Sequence, residues 1–333
     1  MTSKISWRVI ALLAGVLVTF GFWMLFLRNT PGQPSPTAAA TEPRSQKTIV
    51  LAINDMRDPL SAVLARSIKR LINDNENLQA IVLDAGGLRS RQSEQLSQLD
   101  LSSIAGLILS PIAFSELDEP VGLLNQAGIP VVVINQAAGY ELLLARQVTS
   151  ICFDAVEAGR QQAEFCAGQL GGQGEIVILA GPEDQAVTRQ MIQGVNEVLL
   201  KFPDLSIAEI EYGNWQRQSG KISMIRILQN HQNIDAVLAL NDEMLLGALP
   251  LIMGQSSQLV KVGAGATTEG LEAISQGYID ASISINSQQM ARMAFNAVID
   301  AISGGGVRNE ILQPQLISSD NLDTYIREIW NVN

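Results

Sequence analysis

Histidine is nearly absent from this chain: of 333 residues, His231 is the single one. Catalysis built on an imidazole base, and histidine-rich coordination of transition metals, are largely excluded by that shortage. Two cysteines, Cys152 and Cys166, can neither form a disulfide framework nor complete a four-thiolate metal site. Basic residues are also in deficit, with 22 Lys and Arg against 33 Asp and Glu and a net charge of −11, so a surface that neutralises phosphate backbones is not expected and nucleic acid is not a partner. What the chain does have is aliphatic content. Hydrophobic residues make up 47% and charged residues 17%, the composition of packed cores and not of a disordered or fibrous chain.

Near the N-terminus, nineteen residues from Val9 to Leu27 carry no charge and are bounded by Arg8 and Arg28. At ~1.5 Å per residue a helix of that length nearly spans a ~30 Å hydrocarbon core, so residues 1–28 read as a membrane anchor or a signal sequence. Lys4 and Arg8 supply a positive n-region, and Ala38-Ala39-Ala40 resembles a cleavage site. The apolar stretch, however, exceeds the ~7–15 residues of an h-region, and the alanines lie beyond Pro31, Pro34 and Pro36; an uncleaved inner-membrane anchor through residues 9–27 is the favoured expectation. Residues 29–47 are rich in Pro, Ala, Ser and Thr without apolar periodicity and read as a disordered linker. Five of the basic residues and one acidic residue fall in residues 1–47, leaving 17 basic and 32 acidic in the remainder, net −15. The body is expected to be exported and strongly acidic.

From Thr48 onward, strand-length apolar runs alternate with longer amphipathic segments, the pattern of β-α units in a parallel sheet. Nine runs stand out: residues 49–53, 80–84, 106–110, 130–134, 175–180, 208–212, 236–240, 261–265 and 281–285. Their nearly continuous Val, Ile and Leu content fits strands covered on both faces. Between them, Ala163, Cys166, Ala167 and Leu170, or Met290, Met293, Ala294, Ala297, Val298 and Ala301, have helical spacing. Pro203 and Gly171-Gly172 stop their helices, and Gly304-Gly305-Gly306, without the Lys of a phosphate loop, ends another. The units divide into two doubly wound lobes, separated by a polar stretch near Gln147 to Asp154, with ligand chemistry expected just after the strands.

At those positions the chain becomes recognisable. IDAVLALNDEMLLGAL (234–249), AGIPVVVIN (127–135), FDAVEAGRQQAEF (153–165), GEIVILAGPEDQAVTRQMIQGVNEVLLKFPDL (174–205) and VGAGATTEGLEAISQGYIDASI (262–283) together resemble the type I periplasmic sugar-binding proteins, in the ribose and glucose/galactose receptor group. The resemblance implies an α/β architecture of two Rossmann-like lobes joined by three hinge crossings, near 150–154, 285–287 and 314–318. Lobe one would comprise residues 48–151 with 287–315, and lobe two residues 152–286 with 316–333.

The resemblance also implies ligand contacts. Asn54 and Asp58 follow the first strand; the Asn135-Gln136 pair ends the fourth; Arg189 falls on a pocket arginine, Trp215 on an aromatic wall and Asn241 on the asparagine of the NDEM turn. These types suit a sugar: carboxylate, amide and guanidinium groups exchange hydrogen bonds with hydroxyls, and an indole covers the C–H face of a ring. Departures are equally specific. A family aspartate is replaced by Gly265, the aromatic before it by Ala264, a first-lobe aromatic wall by Leu60 and Ser61, and a late polar contact by Ile285, with Asn286 beside it as a substitute.

Each residue also has a plainer reading. Arg189 could be solvated surface, Trp215 packing, Asp58 a helix start, and Asn241-Asp242 a helix cap, with Asp242 capping while Asn241 meets ligand. His231 reads as surface, and the cysteines as free and buried. The resemblance implies a non-enzymatic receptor that captures a small sugar-like ligand and delivers it to an ABC permease; the alternative is a ligand-sensing co-receptor for a sensor kinase or chemoreceptor. No nucleophile with its base supports an enzyme. A repressor on the same lobes would need an N-terminal helix-turn-helix where the apolar span lies. No cofactor or metal is expected, and a monomer is.

Overall fold

The computed structural model describes residues 46–113, 116–137, 148–254 and 258–330; the side chains of 135–137, 329 and 330 lie outside that description. The expected anchor and almost all of the linker fall outside the described residues. Among the described residues no helix is long and apolar enough to cross a membrane.

Two six-stranded sheets organise the described residues. The first is built from β1 (Lys47–Ile53), β2 (Leu78–Asp84), β3 (Ile104–Leu109), β4 (Val131–Ala137), β5 (Thr149–Phe153) and β11 (Asn309–Leu312), in the order β2-β1-β3-β4-β5-β11, all parallel. The second uses β6 (Gln173–Ala180), β7 (Asp204–Tyr212), β8 (Ala236–Ala239), β9 (Val260–Ala264), β10 (Ala281–Ser284) and β12 (Gln315–Ser318), in the order β7-β6-β8-β9-β10-β12. Among the described strands only β12 runs antiparallel to its neighbour. The helices are α1 (Pro59–Asn73), α2 (Arg89–Ser97), α3 (Asp118–Gln126), α4 (Ala155–Gln169), α5 (Ala186–Leu199), α6 (Arg217–Asn230), α7 (Asp242–Ile252), α8 (Thr268–Ser275), α9 (Ser287–Ile302) and α10 (Leu322–Trp330). The two doubly wound lobes expected from the alternation of runs are the observed architecture.

Strand composition explains the layering. In β1, Ile49, Leu51 and Ile53 enter one core and Val50 and Ala52 another, because successive side chains leave a strand on opposite faces. In β6, Ile176, Ile178 and Ala180 join the first core while Val177 and Leu179 join a third. Helices α1 and α9 pair over the first sheet, α4 and α5 over one face of the second, and α6 and α7 over its other face. A strand covered on both faces has no polar side, which is why the runs read as continuous.

The chain passes between sheets three times: from β5 into α4, which packs on β8, β9, β10 and β12; from β10 into α9, which returns to β3, β4 and β5; and from β11 to β12. Three strands were not among the nine runs. Residues 149–153, inside the polar stretch near Gln147 to Asp154 expected to separate the lobes, form the buried strand β5, paired with β4 and β11. Its polar groups are satisfied within the sheet, as Ser150 Oγ donates to Asn309 Oδ1 at 2.7 Å. Strands β11 and β12 have four residues each and lie at sheet edges, too short for a two-residue period to register.

Candidate functional site

In both sheets the strand order reverses beside the first strand, β1 in one and β6 in the other, so the loops leaving the carboxyl ends diverge and open a crevice. In the first lobe Asn54 directly follows β1; its carbonyl accepts from Gly87 N at 2.8 Å, and Ser110 Oγ, just after β3, lies 3.4 Å from its Oδ1. Asp58 caps α1. With extended backbone and Pro59 behind it, its Oδ2 accepts from Ser61 N at 2.8 Å. Burial raises the Asp58 pKa, the Ser61 and Leu60 donors oppose that rise, and the neighbouring Asp55 charge adds to it. Helix capping thus uses one carboxylate oxygen of Asp58 and leaves the residue at the mouth of the first sheet.

Asp55 behaves differently. Burial alone would raise its carboxyl, but the Arg57 guanidinium, with Nε at 2.9 Å and Nη2 at 2.8 Å, holds it below its ordinary range. Arg57 Nη2 also donates to Gly86 O at 2.7 Å, so this charge ties the β1 and β2 loops together. Asn135 and Gln136 lie near the end of β4, Gln136 in register with Cys152. Their side chains lie outside the described part.

In the second lobe the candidates form a connected group. Asn241, after β8, is the cap of α7: its Oδ1 accepts from Met244 N at 2.9 Å, while its Nδ2 donates to the Trp215 carbonyl at 2.8 Å. Trp215 has a left-handed φ of 66°, a conformation that a bulky residue rarely adopts. Its Nε1 donates to Gln185 Oε1 at 2.7 Å. The indole lies directly on Gly181, where an added Cβ would come within 1.9 Å of the ring. Trp215 also packs against two hydrophobic cores, so it serves as structural wall as well as candidate platform.

Asp242 reverses its expected role. Asn241 does the capping, and Asp242 is fully buried, accepting from Thr267 N at 2.7 Å, Thr267 Oγ1 at 3.0 Å and Ser282 Oγ at 2.6 Å. The reason is backbone geometry: Asn241 has the extended conformation of a cap, which aims its side chain at the free N–H of the first turn, whereas Asp242 is already helical. Burial outweighs those three donors and pushes the Asp242 carboxyl up to about 6.

Arg189 is exposed, with Nη1 donating to Glu183 O at 3.1 Å, while Thr188 and Met191 of the same helix face inward. Position 265 holds a glycine at φ 117°, a conformation that side-chain-bearing residues avoid, so the backbone itself is unsuited to a carboxylate there. Ile285 is buried in the first core, and Asn286 caps α9 by accepting from Gln289 N at 2.9 Å, which engages the oxygen expected to replace a late polar contact. His231 meets Glu209 at 2.8 Å, and both cysteines are free and buried.

Two further features were not anticipated. Asp184, in the loop after β6, pairs with Arg89 at the start of α2, so a charge contact bridges the carboxyl-end loops of the two lobes. Its neighbour Gln185 carries the indole contact; a polar residue before a helix reads only as a cap, and nothing in sequence spacing predicts a partner thirty residues away. A cavity of about 860 Å³ lies elsewhere, at the amino ends of the second sheet among Gln173, Asp204, Asp235 and Asp280. It includes none of the candidate residues and lies at the opposite end from the divergent loops, so the strand topology is the better guide to the site.

Comparison with known proteins agrees with the two-lobed α/β fold. A family profile described as the periplasmic binding protein domain matches residues 49–306. The ribose import binding protein of Bacillus subtilis is 25% identical over 271 residues, 81% of this chain and 87% of that protein. The xylitol-binding protein of Mycolicibacterium smegmatis is 29% identical over 258 residues, 76% of this chain and 72% of its own length. Among solved structures, an ABC transporter solute binding protein from Bacillus halodurans with bound myo-inositol has a TM-score of 0.79 at 22% identity, covering 86% of this chain and 99% of that one.

Proposed function

Since the chain belongs to the periplasmic binding protein domain family, a family of solute binders and not of enzymes, we propose that it is an extracytoplasmic receptor for a small sugar or polyol, which it delivers to an ABC importer. The observation that carries this reading is the connected group Trp215, Asn241 and Gln185 at the carboxyl ends of one sheet, with Asn54 and Asp58 at those of the other. Asp58 accepts from hydroxyls, Asn54 and Asn241 add amide groups, and the Trp215 indole covers an apolar ring face. Asn135 and Gln136 complete the first-lobe side, and Arg189 acts from the rim once its guanidinium leaves the Glu183 carbonyl. The ribose and xylitol receptors named above support the ligand class. The sensor co-receptor alternative has no comparable support.

Closure follows from the three passages between sheets. In this reading lobe one is residues 48–153 with 287–314 and lobe two residues 154–286 with 315–333, the expected divisions at 151/152 and 315/316 moving so that β5 and β12 stay whole, and the N-terminal span anchors a monomeric receptor to the inner membrane through the 29–47 tether. The test is a thermal-shift screen of the full-length chain, stripped of ligand by unfolding and refolding, against D-ribose, D-allose, xylitol and myo-inositol. A ligand at 100 times its dissociation constant adds ~2.7 kcal/mol, a shift of several degrees. A cooperative melt that none of the four moves would sink the assignment.

A further inference from the structure

We propose that Gln185 is the positioning residue of the Trp215 platform, holding the indole plane on which the ligand ring rests. Trp215 is anchored at both ends: its carbonyl by Asn241 Nδ2 at 2.8 Å and its Nε1 by Gln185 Oε1 at 2.7 Å. A left-handed tryptophan is strained and persists only where its surroundings over-determine it, and these two bonds with the Gly181 floor are that over-determination. Asn241 fixes the backbone. It does not fix the ring, because rotation about the side-chain bonds is still open; Gln185, reaching the ring's one polar atom, closes that freedom.

The location of Gln185 adds a second role. It immediately precedes α5, and the residue before it, Asp184, makes the contact with Arg89 of the other lobe. One short loop therefore holds both the platform and a closing contact, so indole orientation and lobe approach are coupled through adjacent residues.

This inference rests on the receptor reading for its effect on affinity, but the contact itself is measurable without ligand. In the ¹⁵N-labelled full-length chain, the Trp215 indole N–H resonance is identified by its loss in Trp215→Phe. We expect Gln185→Ala to move that resonance and speed its exchange with solvent, and Gln185→Glu, which keeps the acceptor, to restore protection. With whichever of the four sugars and polyols stabilises the wild type most, calorimetry should show Gln185→Ala binding on the order of tenfold weaker and adding no further loss in the Trp215→Phe background. An unmoved indole resonance overturns the proposal, as does a variant that melts lower yet binds with wild-type affinity, or an equal loss in both backgrounds. If the wild type binds none of the four, the receptor reading fails, while the indole resonance still decides whether Gln185 holds the ring.

Discussion

Asp242 should make this fold more stable as the pH falls from 7.5 toward 5, against the usual direction for a carboxylate. The residue is fully buried, three donors face it, and its carboxyl is pushed from an ordinary 3.8 up to about 6, with burial the largest cause. A folded-state pKa above the unfolded value means that the native protein binds the proton more tightly. The ionised form is therefore a cost at and above neutrality, relieved as pH drops through 6 and fully removed below the unfolded value. At about 1.4 kcal/mol per pH unit the whole effect is on the order of 3 kcal/mol, roughly half of it realised by pH 5. Other carboxylates titrate in the opposite sense, so the contribution must be isolated by difference. Asp242→Asn keeps an acceptor for Thr267 and offers Ser282 a donor, while removing the titration. Urea unfolding of both proteins at pH 7.5 and 5 should show the wild type gaining on the variant by more than 1 kcal/mol at the acid end. Parallel pH profiles would refute the claim that burial raises this carboxyl above its unfolded value.

Gly181→Ala drives a methyl into the indole, and is expected to displace Trp215 and weaken polyol binding more than it lowers the melting temperature; equal affinity by calorimetry would count against the platform. Asn241→Ala removes a helix cap and the anchor of the Trp215 carbonyl together, so a stability loss of ~1–2 kcal/mol in urea should accompany the affinity loss. Arg89→Ala breaks an exposed pair and should change stability by less than ~1 kcal/mol. Its expected signature is a smaller decrease in radius of gyration by X-ray scattering when ligand is added, and an unchanged decrease would show that the pair does not favour closure.

Much of the fold was legible because parallel strands buried on both faces leave an uninterrupted aliphatic mark; β1, β6 and β8 are examples. Strand β5 hid because Thr149 and Ser150 find their partners only after β11 arrives from more than 150 residues away. At the site, the positions of Asn54, Asp58, Trp215 and Asn241 after their strands could be read from order and spacing. What each side chain does there could not. The exchange of roles between Asn241 and Asp242 depends on one residue's backbone angles, and Arg189 lies exposed because Thr188 and Met191 take the inward face of α5. Local chemistry and the periodicity of burial are properties of neighbouring residues, so the sequence by itself determined lobes, strands and a candidate set. The indole clasp of Gln185, the Arg89–Asp184 bridge and the buried Asp242 join residues 25 to 95 positions apart, and only packing the chain in three dimensions decided them.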